Sequence, residues 1–102
     1  NNMDRSVLEN NLNLGLVRGR HEMPVDDYLF DSIDNVLDFE SMRREIAHRL
    51  AGVLQLNLYV TGLTAATVEV MNFCIEHNVE LTLFHFDRDT QSYVAQATAT
   101  CH

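Results

Sequence analysis

Apolar and polar residues alternate strictly where the chain is easiest to interpret. Leu54, Leu56, Leu58 and Val60 are separated by Gln55, Asn57 and Tyr59, the period of two that marks a strand with one buried face. Thr61-Gly62-Leu63-Thr64 interrupts the pattern. A helical distribution follows, with Val68, Val70, Met71, Phe73, Cys74 and Ile75, and it stops near His77-Asn78. Thr64 is the expected N-cap, and Asn78 the expected left-handed residue after the helix. Val79, Leu81, Leu83 and His85 then share one face of a further strand, which ends at Phe86-Asp87-Arg88. The stretch from Leu54 to Arg88 is therefore a strand–turn–helix–strand unit.

The flanking segments complete one small domain spanning residues 1–102. Asn1 to Asn11 is polar and asparagine-rich and is expected to be a loosely held arm. Leu12, Leu14 and Leu16 alternate with Asn13 and Gly15 as a first strand, and the turn from Arg18 to Glu22 is closed by Pro24. Tyr28 to Ile33 is expected as a second strand, with Asp31 awkwardly placed in it. Asp38 is a good N-cap for a helix carrying Phe39, Met42, Ile46, Leu50 and Val53 at helical spacing. Asp87 to Ser92 has the composition of a hairpin loop, and Tyr93 to Thr98 can return as an antiparallel edge strand. With the second, third and fourth strands in sequence, right-handed crossovers place both helices on the same side. The expected fold is α/β, a small two-layer sandwich of an about five-stranded mixed sheet with two helices on one face. The other face would carry Gln55, Asn57, Tyr59, Glu80, Thr82, Phe84 and Phe86, and its aromatic rings call for a partner subunit or a flat ligand.

Composition narrows the function classes. The formal charge of −8 argues against duplex nucleic acid or an anionic membrane surface as partner, since both need a continuous basic face. No apolar run reaches the roughly 20 residues that cross a bilayer, and no basic segment followed by an apolar core opens the chain. Cys74 and Cys101 form no disulfide framework. The expected setting is the cytoplasm. All seven basic residues are arginine, whose planar fork suits phosphate and carboxylate. Arg18, Arg20 and Arg88 fall outside the expected regular elements.

In open α/β sheets ligands collect at the carboxyl ends of parallel strands. That edge here holds Thr61, Gly62, Leu63 and Thr64 after one strand and His85, Phe86, Asp87 and Arg88 after the next. Free amides at a helix start attract phosphate, Gly62 permits close approach, and the threonine hydroxyls can donate. Arg18, Arg20 and His21 lie in a turn able to close over the same group. The plainer alternatives are that Thr64 only caps the helix, Gly62 only makes the turn and His85 is a hydrogen-bonded core residue. No P-loop, EF-hand or zinc pattern is present, and no nucleophile motif stands out. No catalytic residue, metal ligand or cofactor is therefore assigned.

Leu58-Tyr59-Val60-Thr61-Gly62-Leu63-Thr64, with Leu81-Thr82-Leu83-Phe84-His85-Phe86-Asp87-Arg88 downstream, resembles small phage-encoded proteins, the anti-Thoeris nucleotide sponges of the first type. The resemblance spans roughly Leu54 to Gln96. It implies non-enzymatic sequestration of a cyclic ADP-ribose-like immune signal in the host cytoplasm, by a homo-oligomer with ligands between subunits. Two alternatives stay open: a phosphodiesterase that degrades a cyclic nucleotide, using His21 or His85, and a structural or protein-interaction module.

Overall fold

The structure, a computed structural model, describes residues 11–19 and 22–98. The elements in chain order are β1 (Asn11–Val17), β2 (Tyr28–Phe30), α1 (Phe39–Arg49), β3 (Gln55–Tyr59), α2 (Thr64–Glu76), β4 (Glu80–Asp87) and β5 (Ser92–Ala97). They form a five-stranded mixed sheet of order β2-β1-β3-β4-β5, parallel except for β5, with α1 and α2 packed together on one face. The expected arm lies outside the described residues, apart from Asn11, which begins β1.

The connections explain the layering. The crossover from β2 through α1 to β3 passes over β1, and that from β3 through α2 to β4 joins neighbours. β1 takes an interior position because its second half is apolar on both faces. Leu14, Leu16 and Val17 are buried, and so is Gly15, a pattern suited to a strand covered on both sides. The core on the helix face joins Leu14, Leu16, Leu56, Leu58, Leu81 and Leu83 to Met42, Ile46 and Leu50 of the first helical segment and Ala66, Val70 and Cys74 of the second. Burying each large aliphatic side chain contributes about 1.5–3 kcal/mol.

Asp38 caps α1 as expected. Its carboxylate accepts from the Ser41 amide at 3.2 Å and from Ser41 Oγ at 2.8 Å, and these bonds hold its pKa below the ordinary range. Asn78 adopts φ 57°, also as expected, and the Val79 amide reaches back to the Cys74 carbonyl at 2.8 Å. Three expectations are corrected. Phe39 is 40% exposed rather than part of the core stripe. The second strand ends at Phe30, because Asp31 turns outward to bond Arg18 Nε at 3.1 Å. Leu54 precedes β3 and is exposed.

The face away from the helices is partly covered by the chain itself. Tyr59 stacks on Phe84 with ring centres 4.6 Å apart, and Tyr93 meets Tyr59 and Phe86 edge-on at 4.9 and 5.4 Å. The Tyr93 hydroxyl donates to the Glu22 carbonyl at 3.3 Å, so the segment following β1 returns across this face. Met23, on that segment, is buried. A Cβ at Gly15 would come within 2.8 Å of Met23 Sδ and 2.5 Å of the Tyr28 ring, so only glycine lets both side chains close there. Rings expected to need a partner subunit or a flat ligand thus find part of their cover inside the chain.

Candidate functional site

The carboxyl edge of β3 and β4 opens into a cleft of roughly 800 Å³. Val60, Thr61, Gly62, Leu63, Thr64 and Thr67 supply one wall; His85, Phe86 and Arg88 supply the other. Its shape follows from element lengths. β4 has eight residues and runs about 26 Å, whereas the thirteen residues of α2 span about 20 Å. The strand therefore outruns the helix that covers it, and a gap opens where the helix starts. His85 shares the parity of Leu81 and Leu83 but lies past that cover, exposed, with Nε2 2.7 Å from Gln96 Oε1. This corrects its reading as a core histidine.

The helix start is unsealed. Leu63, not Thr64, is the N-cap, and no side chain bonds the first-turn amides. The Thr64 amide donates to the Gly62 carbonyl at 3.0 Å, and Thr67 Oγ1 to the Leu63 carbonyl at 3.1 Å. Thr64 is thus the first helical residue and does not cap. The reason is local: Leu63 packs against the core, which fixes the chain one residue earlier than a threonine cap needs. Gly62 has no left-handed backbone angle, and a Cβ built there meets nothing within 4 Å. The turn does not require glycine, and the bare backbone at 62 leaves this part of the opening unfilled. Thr61 Oγ1 is buried beside the same turn with no hydrogen-bond partner. A buried polar atom left without a partner is uncommon and calls for a reason.

Arginine pairing separates one guanidinium from the rest. Arg18 Nε bonds Asp31, its Nη2 lies 3.8 Å from Asp27, and its guanidinium sits over the Tyr28 ring at 4.8 Å. Arg43 forks onto Glu69 at 2.9 and 3.2 Å, which raises the Arg43 pKa further. Arg44 pairs with Glu40, and Arg49 with Glu45 and Asp27. Among the described arginines only Arg88 has no carboxylate partner, and it lines the cleft. Its neighbours are acidic, but the Asp87 carboxylate is turned to the Asp89 amide at 3.0 Å.

Of the residues singled out from sequence, Thr61, Gly62, Leu63, Thr64, His85 and Arg88 converge on this cleft. Arg18 does not line it and is held by Asp27, Asp31 and Tyr28. Arg20 and His21 lie outside the described residues. Phe86, placed at this edge from sequence, lines it too. Val60 and Thr67 join the lining unforeseen; the spacing of Thr67 one turn after Thr64 was the available clue. Elsewhere, a groove of roughly 540 Å³ runs between the helices beside the Arg43–Glu69 pair. Among the described residues no three His, Cys, Asp or Glu side chains gather to hold a metal ion, and no helix is long and apolar enough to cross a membrane.

Fold and cleft together define an open α/β module with a ligand-sized opening at the carboxyl edge of its parallel strands. Comparison of the chain with protein-family models, with curated proteins and with solved structures gave no match.

Proposed function

We propose that this protein binds and sequesters a nucleotide of the cyclic, immune-signal type in the cleft at the start of α2, without turning it over. One observation carries the reading: the described arginine that lacks a carboxylate partner faces a helix start that lacks a cap, across an opening of roughly 800 Å³. Small-molecule sites occupy about 300–1,000 Å³, so the space suits a nucleotide. The unsealed amides and the helix dipole favour a phosphate. Arg88 would fork onto the same group, and Thr61 Oγ1 would gain a partner. His85 faces Gln96 and not a carboxylate, so it lacks the oriented acid–base partner that cleavage would use. Capture by an anti-defence protein of a phage fits these features and the strand–turn–helix resemblance.

The test is titration calorimetry with a panel of cyclic nucleotides, cyclic ADP-ribose-like compounds included. A charge-assisted hydrogen bond contributes about 1.5–3 kcal/mol, so Arg88→Ala should weaken binding roughly 10- to 150-fold with an unchanged melting temperature. Arg44→Ala, already engaged by Glu40, should leave affinity unchanged. Equal affinity of Arg88→Ala and the parent chain would remove the phosphate assignment.

A further inference from the structure

We propose that the outer edge of β5 pairs with the same edge of a second copy, joining two sheets into one of ten strands. The hydrogen-bonding direction of the edge follows from the ladder. The Val60 amide donates to the Phe84 carbonyl, which points Phe84 toward β3, and the Thr98 amide donates to the Leu81 carbonyl. Backbone groups alternate along a strand, so in the register Leu83 to Gln96 and His85 to Val94 the inward residues of β5 are Val94 and Gln96. Ala95 and Ala97 therefore aim N–H and C=O away from the sheet. No hydrogen bond from another described element reaches them.

Edge strands are normally blunted by charge, proline or a bulge. β5 has none of these: residues 90–98 read Thr-Gln-Ser-Tyr-Val-Ala-Gln-Ala-Thr, and its pairing with β4 is unbroken from Thr82–Ala97 to Asp87–Ser92. A second copy is the partner this edge fits, for two reasons. The chain carries a net charge of −8, so two copies repel overall, whereas β5 itself is neutral. The strand is also self-complementary. With Ala95 opposite Ala97 of the second copy, both exchange backbone bonds, Gln96 meets its own copy on the two-fold axis, and Val94, 51% exposed, lies against Thr98 of the other copy. Cross-strand pairs of β-branched residues favour such a ladder. Both helix layers then lie on the same face. Gln96 bonds His85 of the cleft, but the pairing itself uses backbone groups of β5 and does not depend on what the cleft binds.

Sedimentation velocity of the full chain from micromolar to several hundred micromolar should show a reversible dimer of twice the 11.7 kDa protomer. The Ala95 and Ala97 amides should exchange with solvent more slowly as concentration rises. Ala95→Pro deletes one outward N–H and leaves the β4 ladder intact. Gln96→Lys sets like charges face to face while reducing the overall negative charge. Each should weaken the dimer roughly tenfold or more. If Ala95→Pro loses its native circular dichroism, Gln96→Lys decides alone. A single 11.7 kDa species throughout the range, or an assembly that a folded variant leaves unchanged, overturns the proposal.

Discussion

Arginine is the whole basic complement of this chain, and its pairing tells structural residues from available ones. Arg18, Arg43, Arg44 and Arg49 are taken by carboxylates; Arg88 is left to the cleft. Sequence could mark Arg88 as lying beyond a strand, but it could not show that Arg18 was engaged, since Asp31 stands thirteen positions away and only the fold joins them. Cys74 tests the packing beneath the helices. It is 3% exposed, and burial pushes its thiol up to about 12 from an ordinary 9.0. A raised pKa means the folded state holds its proton longer than the unfolded state. The associated stability is complete below pH 9 and is lost as pH climbs toward 12, at up to ~1.4 kcal/mol per pH unit. Chemical denaturation at pH 8, 9.5 and 10.5 should show a steeper alkaline decline for the parent than for Cys74→Ala. Parallel declines would mean the thiol ionises equally in both states.

α1 and α2 are pinned by a single polar contact as well as by their apolar seam. Glu69 is buried, and Arg43, largely exposed, forks over it. Removing only the arginine leaves a buried carboxylate without its ion-pair partner, which costs more than removing both partners. Thermal denaturation should rank Arg43→Ala below the parent, with the Arg43→Ala/Glu69→Met double variant recovering part of the loss. Equal melting temperatures for all three would show that the pair contributes nothing. The elements themselves were legible because their cues are local: alternation in β3 and β4, Asp38 three residues before Ser41, and Asn78 where the chain must turn. The cap of α2 was not, because Leu63 is drawn to the core and shifts the helix start away from the threonine. The place of β1 between β2 and β3 was also hidden. It depends on Leu16 and Val17 both being buried, on opposite faces of one strand, and a short apolar run does not say which strands will flank it.

Across the whole molecule, the sheet sets where function can reside. A long β4 and a shorter α2 leave the carboxyl edge open on the helix side, the 22–27 segment closes part of the opposite face, and β5 ends the sheet with a neutral edge. Six of the residues chosen for their position at strand ends meet in the opening, since carboxyl ends of adjacent parallel strands are neighbours in any register. Capture without turnover is best tested by combining Gly62→Val with recovery of the bound nucleotide. The backbone at Gly62 tolerates a side chain, with nothing within 4 Å of its Cβ and no left-handed angle, so the variant should fold as the parent does. A cyclic nucleotide that binds in the panel is incubated with each protein, freed by heat, and examined by mass spectrometry. The parent should release about one equivalent of intact ligand per protomer and the Gly62→Val variant almost none. Full binding by a folded Gly62→Val protein would contradict the site, and cleaved product beyond one equivalent would contradict sequestration.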